Sequence, residues 1–192
     1  MTYMIPDPAR EESAPAMTLT ERRWRIGVTI GLALYGVWCG LTPGRFHLPD
    51  ALDLPIHETG HIVFSWGGEV LQALGGTLLQ LLMPLAFVVY FWHRRDRHAT
   101  AVALWWVGQN CWNIARYVGD ARAQELPLVG GGEHDWTFLL ATWRLLPMDQ
   151  SLAYNVRGVG WILIGLATWL GWFALATQRV DPVVTALRNE AG

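Results

Sequence analysis

The chain has 192 residues, of which 52% are hydrophobic, only 16% are charged and 12 are tryptophan; this balance excludes an ordinary soluble domain and makes lipid the expected solvent of a single domain. The formal net charge of −2, with positive charges that are all arginine and scattered in short groups, excludes a nucleic-acid-binding stripe. Cys39 and Cys111 lie in apolar runs and read as buried small hydrophobes, which excludes a disulfide framework or a thiolate zinc site.

Residues 1–23 are polar and proline-bearing and lack the basic start and immediate apolar core of a signal peptide, so a disordered cytoplasmic tail is expected there. The apolar runs 24–42, 70–92, 99–119 and 152–177 are each long enough to cross about 30 Å of hydrocarbon as helices. Residues 54–66 and 136–147 are too short to span alone. The expected fold is therefore all-α: a polytopic transmembrane helical bundle of about four full spans plus two short or re-entrant helices, occupying residues 24–177, with a C-terminal tail over 178–192. A conventional six-span bundle is the alternative.

Arginines favour the cytoplasmic flank of membrane helices. Arg22, Arg23 and Arg25 precede the first run, Arg94, Arg95 and Arg97 follow the second, and Arg179 and Arg188 follow the last. If all are cytoplasmic, the N-terminus is too, and residues 54–66 form a partial helix turning at Gly67 and Gly68. The connections 43–58 and 120–135 then share the outer side. Irregular backbone at membrane depth has to be buried by protein or face water, so the partial helix is expected to line a cavity. Gly158, Gly160 and Gly165 are expected to admit close helix packing. Arg144 and Arg157 have Asp149 or the Glu133 to Asp135 cluster as possible partners, or reach an interface.

The partial helix carries "HETGH". On a helix, His57 and His61 at i and i+4 share a face and both reach one metal, while Glu58 is placed to hold and deprotonate a metal-bound water. Ionisable groups in such a segment are costly and functional by default. A catalytic zinc site usually has three protein ligands. The third has two candidates. One is Asp120, which ends a stripe of Gln109, Asn113, Arg116 and Asp120 on one helix face. The other is His134, in the loop "GGGEHDW", with Asp120 or Asp135 hydrogen-bonded behind the ligand. Arg116 and Asp120 also have the spacing of a structural ion pair. His47, His93 and His98 read as interfacial.

"HETGH" on a membrane helix, followed by the Gly-rich helix "GGTLLQLLMPLAF" and an aspartate ending a later span, resembles the intramembrane zinc metalloproteases of the site-2 protease type. The resemblance covers Leu54 to Asp120. It implies zinc held by His57, His61 and a later aspartate, Asp120 by position, with Glu58 as general base. Gly75, Gly76 and Gln80 stand where that family tends to have Gly-Pro and Asn, and its Asn-Pro-Asp-Gly type signature is missing. "DARAQELPLVGGGEHDW" also resembles small bacterial membrane proteins. The expected activity is a membrane-embedded zinc-dependent hydrolase, most simply an intramembrane metallopeptidase of the bacterial inner membrane. Its surroundings would be membrane lipids and its substrate a membrane protein or peptide. A zinc hydrolase of lipid amides or esters and a non-catalytic subunit of a membrane complex are the alternatives.

Overall fold

A computed structural model describes residues 17–127 and 133–180. Within them, apart from one β-bridge between Met17 and Val180, the chain forms six α-helices and their connections. Of the tails expected over residues 1–23 and 178–192, residues 1–16 and 181–192 lie outside the described residues, and residues 19–23 belong to the first helix and not to a disordered tail.

Helix α1 (Leu19–Leu41) starts ahead of its apolar run because Thr18 closes a capping box. Its Oγ1 accepts from Glu21 N at 3.1 Å while Glu21 Oε2 accepts from Thr18 N at 2.9 Å, satisfying donors that a helix start leaves orphaned. Helix α2 (Asp50–Val63) holds "HETGH" and opens with Asp50 and Asp53 in its first turn, where the helix dipole favours acids. A short 3₁₀ turn (Ser65–Gly67) follows. Gly68, at φ 81°, then reverses the chain into helix α3 (Gly68–His93); a side chain would strain that conformation.

Helix α4 (Arg97–Gly119) is capped by Asp96, whose Oδ1 accepts from Ala99 N at 3.0 Å. It runs through the middle of the bundle, packed chiefly on helix α6 (Asp149–Thr177) and on α3. The short helix α5 (Asp135–Thr142) lies against α3 beside α2.

Three helical stretches, Leu19–Leu41, Ser65–His93 and Leu146–Thr177, are long and apolar enough to cross a membrane. The expected fourth, α4, has the length but not the apolarity. Its buried face carries His98, Thr100, Gln109 and Asn110, so its polar groups are spent on neighbouring helices rather than on solvent.

The arginine groups gather at one end of the bundle. Arg25 Nη1 lies 3.4 Å from Asp96 Oδ1 and 3.2 Å from Gln178 Oε1, which joins the start of α1, the α3–α4 turn and the end of α6. Of the glycines expected to promote packing in α6, Gly160 alone is pressed on a neighbour: a Cβ there would come 2.5 Å from Trp112 Nε1, whereas Gly158 and Gly165 face open space. Asp149 pairs with Arg122 at 2.7 Å rather than with Arg144 or Arg157. His98 is buried between α1 and α4 on Thr29 Oγ1 at 3.1 Å.

Candidate metal centre

The site sits at the opposite end, where α2 lies almost on α3. A Cβ at Gly60 would run into the Gly75 carbonyl, and one at Gly75 would meet Gly60 O at 2.6 Å; only glycine on both helices allows this approach. The contact lays one face of α2 on α3. His57 and His61, one turn apart, have ring centroids 4.8 Å apart.

Each imidazole is fixed through Nδ1. His57 Nδ1 lies 3.1 Å from Gln80 Oε1, and Gln80 Nε2 in turn donates to Asn113 Oδ1 at 2.8 Å. His61 Nδ1 lies 2.8 Å from the Gln72 carbonyl. Both partners are oxygens that only accept, so both Nδ1 atoms carry the hydrogen and both Nε2 atoms present a lone pair. The two Nε2 atoms converge on one atom: Asp135 Oδ2 is 3.3 Å from each. Tyr117 Oη donates to the same oxygen at 3.4 Å. Three potential ligand atoms therefore lie within 4.8 Å of one another.

Asp135 takes this place because of its neighbour. His134 is the N-cap of α5, its Nδ1 accepting from Thr137 N at 3.3 Å. Asp135 is thereby the first residue of a helix, where the dipole favours its charge. His134 Nε2 faces Asp120 Oδ2 at 3.4 Å, and its ring packs on Tyr117 with centroids 4.1 Å apart. Burial holds the His134 imidazole below its ordinary value, so it is a neutral support. Asp120 accepts from Glu125 N at 2.9 Å and Leu126 N at 3.0 Å, which folds the chain back after α4. The two residues expected to compete for the third ligand position thus face each other at 3.4 Å, and the carboxylate beside the imidazoles is Asp135. The ion pair of Arg116 with Asp120 does not form among the described residues. No protein-family model, curated protein or solved structure matches the chain.

The polar stripe of α4 reaches this region at every position. Gln109 Nε2 donates to Asp50 Oδ1 at 2.6 Å, Asn113 anchors Gln80, Arg116 faces a cavity, and Asp120 holds His134. That cavity, of about 230 Å³, is lined among others by His57, Glu58, Gln80, Asn113, Arg116 and Tyr117. Glu58 makes no hydrogen bond or ion pair with any described residue, so its carboxylate is uncommitted. An open cleft of about 410 Å³ approaches from the other side, past His61, Glu69 and Asp135. Gln80 was not singled out from the sequence as an imidazole partner; a lone amide inside "LLQLLMPLAF" was the available signal, since polar groups in such runs are costly unless paired.

Without a cation, one imidazole takes a proton. The contact with Asp135 raises His61 to about 9. Burial pushes the Asp135 carboxyl up, but the contacts from His57 and His61 outweigh it and bring it to about 2. A raised histidine stabilises the fold fully below its ordinary 6.5 and loses that contribution as pH climbs through about 9. A lowered carboxyl contributes above its ordinary 3.8 and loses that as pH falls through about 2. Thermal melts of the chelator-stripped protein should therefore fall in midpoint from about pH 6.5 to pH 9. Metal-loaded protein should show the reverse trend, because a bound metal displaces the His61 proton and that is easier at high pH.

Proposed function

We propose that this protein is a polytopic membrane zinc hydrolase, an intramembrane metallopeptidase in which His57, His61 and Asp135 hold the metal and Glu58 is the general base. The observation that carries it is the convergence of two imidazole lone pairs and one carboxylate oxygen on a single point, with both Nδ1 atoms tied back to oxygens. Without a metal a proton on His61 fills the space between the imidazole and Asp135; a divalent cation bound there would take its place. Two nitrogens and an oxygen, with an open side, suit catalytic zinc, and the hydrogen bonds behind the histidines are those that orient zinc ligands.

Zinc at this point would bring its bound water close to neutral acidity and polarise a substrate carbonyl. Glu58, on the wall of the same cavity, would serve as the base that takes a proton from the attacking water and returns it to the leaving nitrogen. Tyr117 holds Asp135 in place, and Gln80 holds His57.

In this reading α4 is the fourth crossing, its polar face enclosed by the other helices. The arginine-bearing end is cytoplasmic and the site opens towards the outer face.

Metal analysis by mass spectrometry of the detergent-purified chain tests the proposal. About one zinc per chain is expected, lost in His57→Ala, His61→Ala and Asp135→Ala and retained with weakened affinity, by about 10- to 100-fold, in Asp120→Ala and His134→Ala, which act through Asp135. A wild-type protein that takes up no metal from a zinc-containing buffer would sink the proposal and leave a structural membrane subunit. Turnover of lipid amides or esters, with peptides untouched, would move the same metal and base to the lipid reading.

A further inference from the structure

We infer that Arg116 is the specificity residue of the cavity and receives a carboxylate carried by the substrate; the inference rests on the metallopeptidase reading of the site.

Arg116 stands on α4 one residue before Tyr117, on the wall of the cavity that also holds His57 and Glu58. Its guanidinium makes no hydrogen bond or ion pair with any described residue, and its Nε is buried without a partner. No carboxylate among the described residues pairs with it: Glu58, on the same wall, makes no ion pair with it, and the others near it are held in other contacts. Asp120, one turn on, accepts from Glu125 N and Leu126 N and faces His134. Asp50 accepts from Gln109 Nε2 at 2.6 Å and His47 N at 2.8 Å. Asp53 Oδ1 takes Trp106 Nε1 at 2.8 Å and Asn110 Nδ2 at 3.2 Å, while its Oδ2 is buried and makes no hydrogen bond to a described residue.

By contrast, Arg25 is paired with Asp96 and Arg122 with Asp149. A guanidinium is always charged, and leaving its donors unmatched in a partly dry cavity costs free energy. Its planar fork of N–H groups matches a carboxylate in two parallel hydrogen bonds. No described residue meets the guanidinium, and an acceptor entering the cavity would. Because Glu58 and His57 share the wall, a substrate held by Arg116 would present a nearby carbonyl to them. A peptide offers such a group either as its terminal α-carboxylate or as an acidic side chain.

The test is isothermal titration of the zinc-loaded full chain in detergent with three hydroxamates of matched length. These chelate the metal at one end and carry at the other a free α-carboxylate, the corresponding carboxamide, or a carboxamide with an acidic side chain. Charge-assisted bidentate pairing predicts that a carboxylate probe binds about 10- to 100-fold tighter than the plain carboxamide, and the tighter of the two carboxylates names the source. Arg116→Gln should abolish the preference with carboxamide affinity unchanged, and Arg116→Lys should restore part of it. Equal affinity for all three probes in the wild type, or a preference that survives in Arg116→Gln, overturns the inference while leaving the metal centre standing. Zinc-supplied protein that binds none of the three overturns the metal centre, and this inference with it.

Discussion

Glu58→Gln is expected to leave zinc content unchanged and to lower the hydrolytic rate by about 10²- to 10⁴-fold, the usual contribution of a positioned general base. The substitution keeps the size of the side chain and removes only its ability to take a proton. Glu58 bonds to nothing among the described residues, so no structural contact is lost with it, and stability should stay within about 0.5 kcal/mol of wild type. Parallel measurement of metal content, melting temperature and peptide turnover separates the outcomes. A variant with full zinc and undiminished turnover would remove Glu58 from the mechanism. Loss of zinc would instead make it part of the metal's support.

Gly76→Ala should abolish zinc binding while Gly158→Ala leaves it intact. A Cβ at position 76 would sit 2.5 Å from His57 Nε2, the nitrogen whose lone pair faces Asp135. Cδ2 and Cε1 of the same ring would each be 2.7 Å away, so the methyl group would press on the face of the imidazole and displace the Nε2 atom that is to hold the metal. The imidazole would have to swing off Gln80 to relieve the clash. Overpacking of this kind costs about 1–3 kcal/mol, offset by up to about 1 kcal/mol of helix propensity gained on leaving glycine. A Cβ at Gly158 meets nothing within 4 Å, so that variant controls for the propensity gain. Zinc retained at wild-type affinity in Gly76→Ala would show that His57 Nε2 is not a ligand.

What could be read in the sequence was what is local in the chain. The i, i+4 spacing of His57 and His61 is a property of any helix, so the shared face followed from "HETGH" alone, while the turn at Gly67 and Gly68 followed from the arginine distribution and the paired glycines. The third group was harder. Glu133, His134 and Asp135 are consecutive, and which of them faces α2 depends on where α5 begins. Histidine is an uncommon N-cap beside Ser, Thr, Asp and Asn, so nothing marked His134 as the residue that starts the helix and hands the inward position to Asp135. The stripe on α4 was legible as a stripe, but its partners Asp50, Gln80 and His134 come from three other segments. The span count suffered from the same limit: a helix enclosed by others can be polar, and hydropathy cannot tell enclosure from exposure to water. Gly158 and Gly165 looked like packing residues because small side chains permit close approach without requiring it.

Asp135 reaches the two histidines from a separate and much later part of the chain, and this has a consequence for biosynthesis. A polypeptide emerging N-terminus first would expose His57, Glu58 and His61 well before residue 135 has been made. At that stage α2 and α3 can pack through their glycines, but the two imidazoles have no carboxylate beside them. On the proposed reading, the third ligand is therefore withheld until α4 is in place and α5 has formed. A chain stalled before residue 135 would carry the motif without the completed site.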